Sequence, residues 1–121
     1  MITFAVAMKK LSIIIALVLS WQAAQAQLVI NELMQSNVDC IMDDLKDFPD
    51  SWVELYNSGD DAVSLKDYKL GRTENSDEAW QLPDEMVPPK MWALVYCDKV
   101  GSGLHTSFRL DSGKGGALYL F

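Results

Sequence analysis

The chain has 121 residues, of which 50% are hydrophobic, and its 17 acidic and 10 basic residues give a net charge of −7 at neutral pH. A chain of this length builds one small hydrophobic core and not two. The acidic excess repels phosphate backbones and no cluster of Lys or Arg offsets it, so the composition argues against nucleic-acid binding.

The first 26 residues have the pattern of a secretory signal peptide. Lys9 and Lys10 form a basic start, residues 11–21 are apolar, and Ala24-Gln25-Ala26 is a small-x-small cleavage site. The apolar run is shorter than the roughly 20 residues of a spanning helix, so we expect no stable membrane insertion after cleavage. Residues 27–121 would then be secreted, periplasmic or held at the cell surface, with 8 basic and 17 acidic residues and a net charge of −9.

Short segments of alternating apolar and polar residues follow one another along residues 27–121. The predicted strands are 28–34, 52–57, 62–65, 68–70, 79–82, 92–97, 106–110 and 118–121. Clusters of Gly, Pro, Asp and Asn separate them at spacings of about ten residues, which is typical of an antiparallel sandwich or barrel. The sequence therefore predicts an all-β fold, with Trp80 and the strand Trp92 to Tyr96 in its core and a β-bulge near Asn31-Glu32.

Taken in order, these segments resemble the lamin tail domain family. The resemblance is carried by Ile30-Asn31-Glu32-Leu33, Trp52 to Asn57, Val63-x-Leu65-x-x-Tyr68-x-Leu70, Trp80-x-Leu82-Pro83, Val87-Pro88, Trp92 to Tyr96, Leu104-His105-Thr106-x-Phe108-x-Leu110 and Leu118 to Phe121. It implies an immunoglobulin-like antiparallel β-sandwich. The family pattern continues beyond Leu118 to Phe121, so we expect residues 27–121 to lack the last strand or strands and to self-associate through the terminal one.

The resemblance also implies a function. In exported bacterial proteins such domains look like non-catalytic accessory modules, and the family offers no catalytic residues to transfer. The expected partner is a protein domain or a cell-surface or extracellular polymer. Two alternatives stay open. One is the N-terminal fragment of an exported enzyme, CotH-kinase-like or a hydrolase, whose catalytic domain follows Phe121. The other is a Ca²⁺-stabilised carbohydrate-binding sandwich.

An acidic stretch precedes the second predicted strand. Its carboxylates suit Ca²⁺, which prefers oxygen ligands, but their spacing does not match an EF-hand loop. A solvated acidic loop is the favoured interpretation, and no cofactor is expected. The weak candidates for a metal site are Asp43, Asp44, Asp47 and Asp50.

Two further features are weighed for catalysis. Glu32 and Glu54 lie on neighbouring predicted strands and resemble an acid and base pair. Alternation places Glu54 on the solvent side of its strand, however, so a structural role is favoured. His105 is the single histidine of the chain, and we expect it to fix the start of a strand through a backbone hydrogen bond.

The aromatic residues Trp52 and Tyr56 project from the same face of their predicted strand, because they are four residues apart in an alternating pattern. Exposed aromatics on an acidic sandwich suit stacking on a sugar or packing on another protein domain. The two are therefore the candidate ligand-face residues.

The two cysteines, Cys40 and Cys97, would be exported into a compartment in which disulfides persist. A bond between them would close a long loop and stabilise the fold by about 4 kcal/mol in the chain-entropy estimate. Pairing needs a Cα separation that the sequence does not give, so the disulfide is left open.

Overall fold

The computed structural model describes residues 27–36, 41–49, 51–110 and 116–121. These contain eight strands and two short 3₁₀ helices, Leu65–Asp67 and Ser76–Glu78. The strands are β1 Leu28–Met34, β2 Trp52–Asn57, β3 Val63–Ser64, β4 Lys69–Gly71, β5 Trp80–Gln81, β6 Met86–Val87, β7 Trp92–Tyr96 and β8 Tyr119–Leu120. The predicted all-β class is confirmed. The predicted signal peptide, Cys40 and Asp50 lie outside the described residues.

The strands form three antiparallel sheets, with the orders β1-β2-β7, β3-β6 and β5-β4-β8. One hydrophobic core lies between them, formed by side chains from all three. Its buried members are Leu28, Val53, Leu55, Val63, Leu65, Leu70, Leu82, Val87, Val95, Cys97 and Phe108. The part of the chain described here contains no helix long and apolar enough to cross a bilayer.

The central strand β2 shows why this sequence makes a sheet with two different faces. Val53 and Leu55 are completely buried, because alternation turns both toward the core. Trp52, Glu54 and Tyr56 lie on the opposite side, which we call the outer face of the β1-β2-β7 sheet. The strand therefore separates the core from the outer face.

The core prediction is right in part. Val95 is fully buried and Trp80 packs against the core cluster as a partly buried residue. Trp92, in contrast, is 54% exposed. Its register position opposite Tyr56 puts it on the outer face, so its placement in the core was wrong.

The predicted β-bulge is confirmed. The pairing of β1 with β2 shifts between Ile30 and Glu32, so that Ile30 lies opposite Leu55 and Glu32 lies opposite Glu54. The inserted residue, Asn31, bends the strand and changes which side chains reach the outer face.

Two predictions of strand position were wrong. Residues 106–110 form no strand, only the isolated bridge of Arg109 with Asp98, and the preceding residue His105 forms a second bridge with Tyr96. The Thr106 hydroxyl donates to the carbonyl of Phe108 at 2.6 Å, and such a local hydrogen bond competes with a ladder. Residues 86–87 form the strand β6, but the sequence predicts a connection there because prolines lie on both sides.

The last strand, β8, pairs with β4 through reciprocal backbone hydrogen bonds between Lys69 and Phe121, both 2.9 Å long. It lies at the edge of its three-stranded sheet. Self-association through this edge stays a prediction.

Candidate interaction site

The outer face of the β1-β2-β7 sheet carries a row of apolar side chains, one from each strand. Val29 lies opposite Tyr56, and Tyr56 lies opposite Trp92. The Tyr56 and Trp92 rings pack with their centroids 5.2 Å apart and their planes tilted by 33°. Val29 and Trp92 are exposed, and Tyr56 is half-buried between them. We call Val29, Tyr56 and Trp92 the aromatic row.

The next row on this face is acidic at two of its three positions. Glu32 lies opposite Glu54, which lies opposite Leu94. The side-chain amide of Asn31 donates to Oε1 of Glu54 at 2.7 Å. An amide partner on an exposed sheet face holds this carboxylate in place but gives it no catalytic neighbour, which favours the structural role expected for Glu54.

The third row shows that the predicted exposure of Trp52 was wrong. Trp52 lies opposite Tyr96, on the face that the sequence predicts, but it is only 4% exposed. Its neighbour Tyr96 is covered by the His105 ring, with the ring centroids 5.1 Å apart. Trp52 is thus unavailable to a ligand, and the exposed partner of Tyr56 is Trp92. The sequence hides this role, since Trp92 belongs to the most apolar strand of the chain.

The surroundings of Tyr96 are acidic. Burial, and then the charges of Asp43 and Asp44, raise the pKa of the Tyr96 hydroxyl above its ordinary value. A groove of about 440 Å³ runs along the edge of β7 from this region to Trp92. Its lining includes Asp44, Met86, Trp92, Leu94, Tyr96 and Leu104.

His105 lies between two carboxylates, one of which, Asp44, lines that groove. Its Nδ1 is 2.6 Å from Oδ2 of Asp98, and its Nε2 is 2.7 Å from Oδ1 of Asp44. The side chains of His105 and Asp98 are 5% and 13% exposed, whereas that of Asp44 is 74% exposed. An ionised carboxylate only accepts hydrogen bonds, so with both carboxylates ionised each ring nitrogen must carry a proton, which is the imidazolium form.

The charge of this ring has a clear physical cause. Burial lowers the pKa of His105, but the hydrogen bonds to Asp98 and Asp44, together with their charges, outweigh burial and leave the pKa above its ordinary value. The ring therefore joins the segment 41–49 to the chain after β7. The expectation of a ring bonded to the backbone was wrong, because sequence does not reveal a contact with a residue 61 positions away.

Of the predicted metal ligands, the three described ones, Asp43, Asp44 and Asp47, have separate hydrogen-bond partners. Oδ1 of Asp43 accepts the backbone N–H groups of Leu45 and Asp47, each at 2.9 Å. Oδ1 of Asp47 accepts from Phe48, and Asp44 pairs with His105. Their oxygens are thus turned toward their own segment and His105. Calcium binding stays a prediction, and Asp50 lies outside the described residues.

One other donor group occurs within the described ranges. Asp43, Asp98 and His105 each place a donor atom within 4.8 Å of the other two. The ring nitrogens of His105 already face carboxylates at hydrogen-bond distance, so we interpret this group as an ion-paired imidazolium rather than a set of metal ligands.

Cys97 is buried directly after β7 and has no disulfide partner among the described residues. Burial raises its pKa to about 11, against opposing hydrogen bonds from Thr106 and Ser51. An unpaired Cys97 thiol is therefore protonated and unreactive at neutral pH. The disulfide with Cys40 remains untested, since Cys40 lies outside the described residues.

Three antiparallel sheets packed around one core place this chain in the β-sandwich class, and one outer face of the sandwich carries the exposed aromatic row. The profile of the Lamin Tail Domain family matches residues 22–121. The chain belongs to this family, and its fold is the immunoglobulin-like sandwich that the family implies. No curated protein and no solved structure gives a significant match.

Proposed function

We propose that this chain is a non-catalytic, exported interaction module that binds a basic protein surface through the aromatic row. The observation that carries the proposal is the alignment of Val29, Tyr56 and Trp92 across three strands of one exposed face. Tyr and Trp dominate the binding energy of protein interfaces, because they bury a large area at a low cost in side-chain entropy.

The charge of the chain supports a basic partner. The aromatic row borders the two carboxylates Glu32 and Glu54 on the same face, and residues 27–121 carry 17 acidic residues against 8 basic ones. Electrostatic attraction would steer a positively charged surface toward this face, and the carboxylates beside the aromatic row would fix its orientation there. Three side chains give a small apolar centre, so the interaction belongs to the weak, transient class.

We propose no catalytic role because the two candidate groups, Glu54 and His105, are each held by neighbouring side chains. Glu54 is held by the Asn31 amide, and His105 is held on both ring nitrogens by Asp98 and Asp44. No described nucleophile, base and oxyanion donor converge around either of them. Export rests on the pattern of residues 9–26, and the proposed location is the periplasm, the cell surface or the medium.

Site-specific photocrosslinking in an exporting bacterium tests the proposal. A photoreactive phenylalanine analogue replaces Trp92 in one strain and Val100, which is 51% exposed and lies outside the three strands of the outer face, in a matched control strain. We expect a basic protein to be linked from position 92 and not from position 100. Identical adducts from both positions would contradict it. So would binding of a neutral polysaccharide that is lost on Trp92→Ser, an outcome that would favour the carbohydrate-binding alternative.

A further inference from the structure

The strand β7 lies at the edge of the β1-β2-β7 sheet, and its backbone groups point alternately to either side. At the two ends of the pairing, the Asn57 N–H donates to the carbonyl of Met91 at 2.9 Å, and the Cys97 N–H donates to the carbonyl of Ser51 at 2.8 Å. Residues 91 and 97 thus face β2. The antiparallel register is unbroken between them, so residues 93 and 95 also face β2.

The remaining backbone groups of β7 point away from β2. At Tyr96 the chain itself uses them. The Tyr96 N–H donates to the carbonyl of Leu104, and the Thr106 N–H donates to the carbonyl of Tyr96, each at 2.8 Å. This is a short parallel pairing, and it ends there. The N–H and C=O groups of Trp92 and Leu94 have no ladder partner among the described residues. We call these four groups the open edge.

The open edge faces a space that can hold a chain. The groove of about 440 Å³ beside β7 is lined by both open-edge residues, by apolar Met86 and Leu104, and by acidic Asp44 and Glu85. Natural sheets usually block such an edge with a charge, a proline or a covering segment, because unpaired strand groups recruit another strand. Neither Trp92 nor Leu94 is such a blocking residue.

We infer that the open edge binds an extended segment of the partner protein as an added strand, with a Lys or Arg of that segment facing Glu85. A strand is the occupant that supplies N–H and C=O groups at the alternating spacing of Trp92 and Leu94. Exposed Glu85 sets the sign of the charge, since Asp44 is already paired with His105. An ammonium or guanidinium group is attracted to Glu85 and a carboxylate is repelled. This inference rests on the proposed function, because Trp92 belongs to both sites.

Peptides selected on the intact purified chain provide the probe. A displayed library of random peptides is panned on it, and the enriched sequences are synthesised with and without N-methyl groups at alternate amides. We expect enriched peptides to combine Lys or Arg with alternating β-branched or aromatic residues. Methylation of the alternate amides that face β7 should weaken binding by about tenfold or more. Exchange of the Trp92 and Leu94 amide hydrogens should slow when the peptide is bound.

The matched variants are Leu94→Pro and Leu94→Ala. Proline is tolerated at an edge position whose N–H faces solvent, since no ladder hydrogen bond to the neighbouring strand is lost. Leu94→Pro removes the outward donor, whereas Leu94→Ala keeps it and removes the same side chain. We expect peptide affinity to fall by about tenfold more in the proline variant than in the alanine variant. If the proline variant unfolds, the N-methylated peptides and the amide exchange of the parent chain show whether the peptide binds as an added strand.

Failure of this inference is distinguishable from failure of the proposed function. Equal binding to both Leu94 variants, with no slowing of amide exchange at Trp92 and Leu94, contradicts strand addition. If Trp92→Ser still abolishes that binding, the aromatic row stands without the open edge. Binding that is indifferent to Trp92 and Leu94 contradicts both. A library that yields no specific peptide also contradicts strand addition.

Discussion

Replacing His105 with Gln tests the role of the imidazolium between Asp98 and Asp44. Glutamine has a similar reach but no positive charge, and its single amide nitrogen cannot serve both carboxylates from the two ends of a ring. The substitution leaves the carboxylate of Asp98, which is only 13% exposed, without its charged partner. We therefore expect this single substitution to lower the free energy of unfolding.

The magnitude follows from the exposure of the two partners. A hydrogen bond between charged groups contributes about 1.5 to 3 kcal/mol when it is buried, and the Asp98 bond is of this kind. The bond to Asp44, whose side chain is 74% exposed, belongs to the surface class and contributes at most about 1 kcal/mol. His105→Gln should therefore cost about 2 to 3 kcal/mol, which in a domain of this size lowers Tm by about 8 to 24 °C. The matched control Asp44→Asn should cost less than about 1 kcal/mol.

The same site predicts a dependence of stability on pH. The folded pKa of His105 is raised above its unfolded value. Its contribution is therefore fully present below the ordinary histidine pKa of about 6.5, and it is lost as the pH rises through the raised folded pKa. Denaturant unfolding between about pH 5 and about pH 9 measures this loss. The parent chain should lose stability across that window and His105→Gln should not. Equal pH slopes in the two proteins would refute the charged bridge.

Three further predictions concern the core, the cysteines and export. Val95→Asp buries an unpaired carboxylate at a fully buried position and should cost about 4 kcal/mol in denaturant unfolding, whereas Val100→Asp at an exposed position should cost little. Equal costs would contradict the core assignment. Thiol titration of the native chain should leave Cys97 unmodified at neutral pH, because burial raises its pKa to about 11. Titration after denaturation without reductant distinguishes two free thiols from a bond between Cys40 and Cys97. N-terminal sequencing of the exported protein should begin at Gln27, and intact protein kept in the cytoplasm would overturn the signal peptide.

The parts of the fold that were predictable from sequence are those fixed by local pattern. The alternation of apolar and polar residues in β2 predicts its two faces, and the turn residues Asn57-Ser58-Gly59 predict its end. The spacing of Ile30 and Leu33 gives the bulge of β1, because two apolar residues three apart cannot both face the core of a regular strand. Each of these features depends on residues that are neighbours in the chain.

The site was less predictable, since it depends on what covers the outer face. Trp52 and Trp92 look equally suited to an exposed or a buried place in their strands. Trp52 is buried at the end of the sheet where Asp44 and His105 meet, and Trp92 stays open at the other end. One of the two partners of the His105 ring, Asp44, comes from a distant acidic stretch that the sequence alone presents as a solvated loop. Packing between distant segments decided both outcomes.

Isothermal titration with the protein that is crosslinked from position 92 measures most directly how much the aromatic row contributes to binding affinity. The titration compares the parent chain with Trp92→Ser and with Val100→Ser, two changes at residues that are each about half exposed. Loss of an aromatic contact at the centre of a small interface should weaken Kd by about tenfold or more, and the serine at position 100 should leave it unchanged. Equal Kd values for Trp92→Ser and the parent chain would contradict binding through this face.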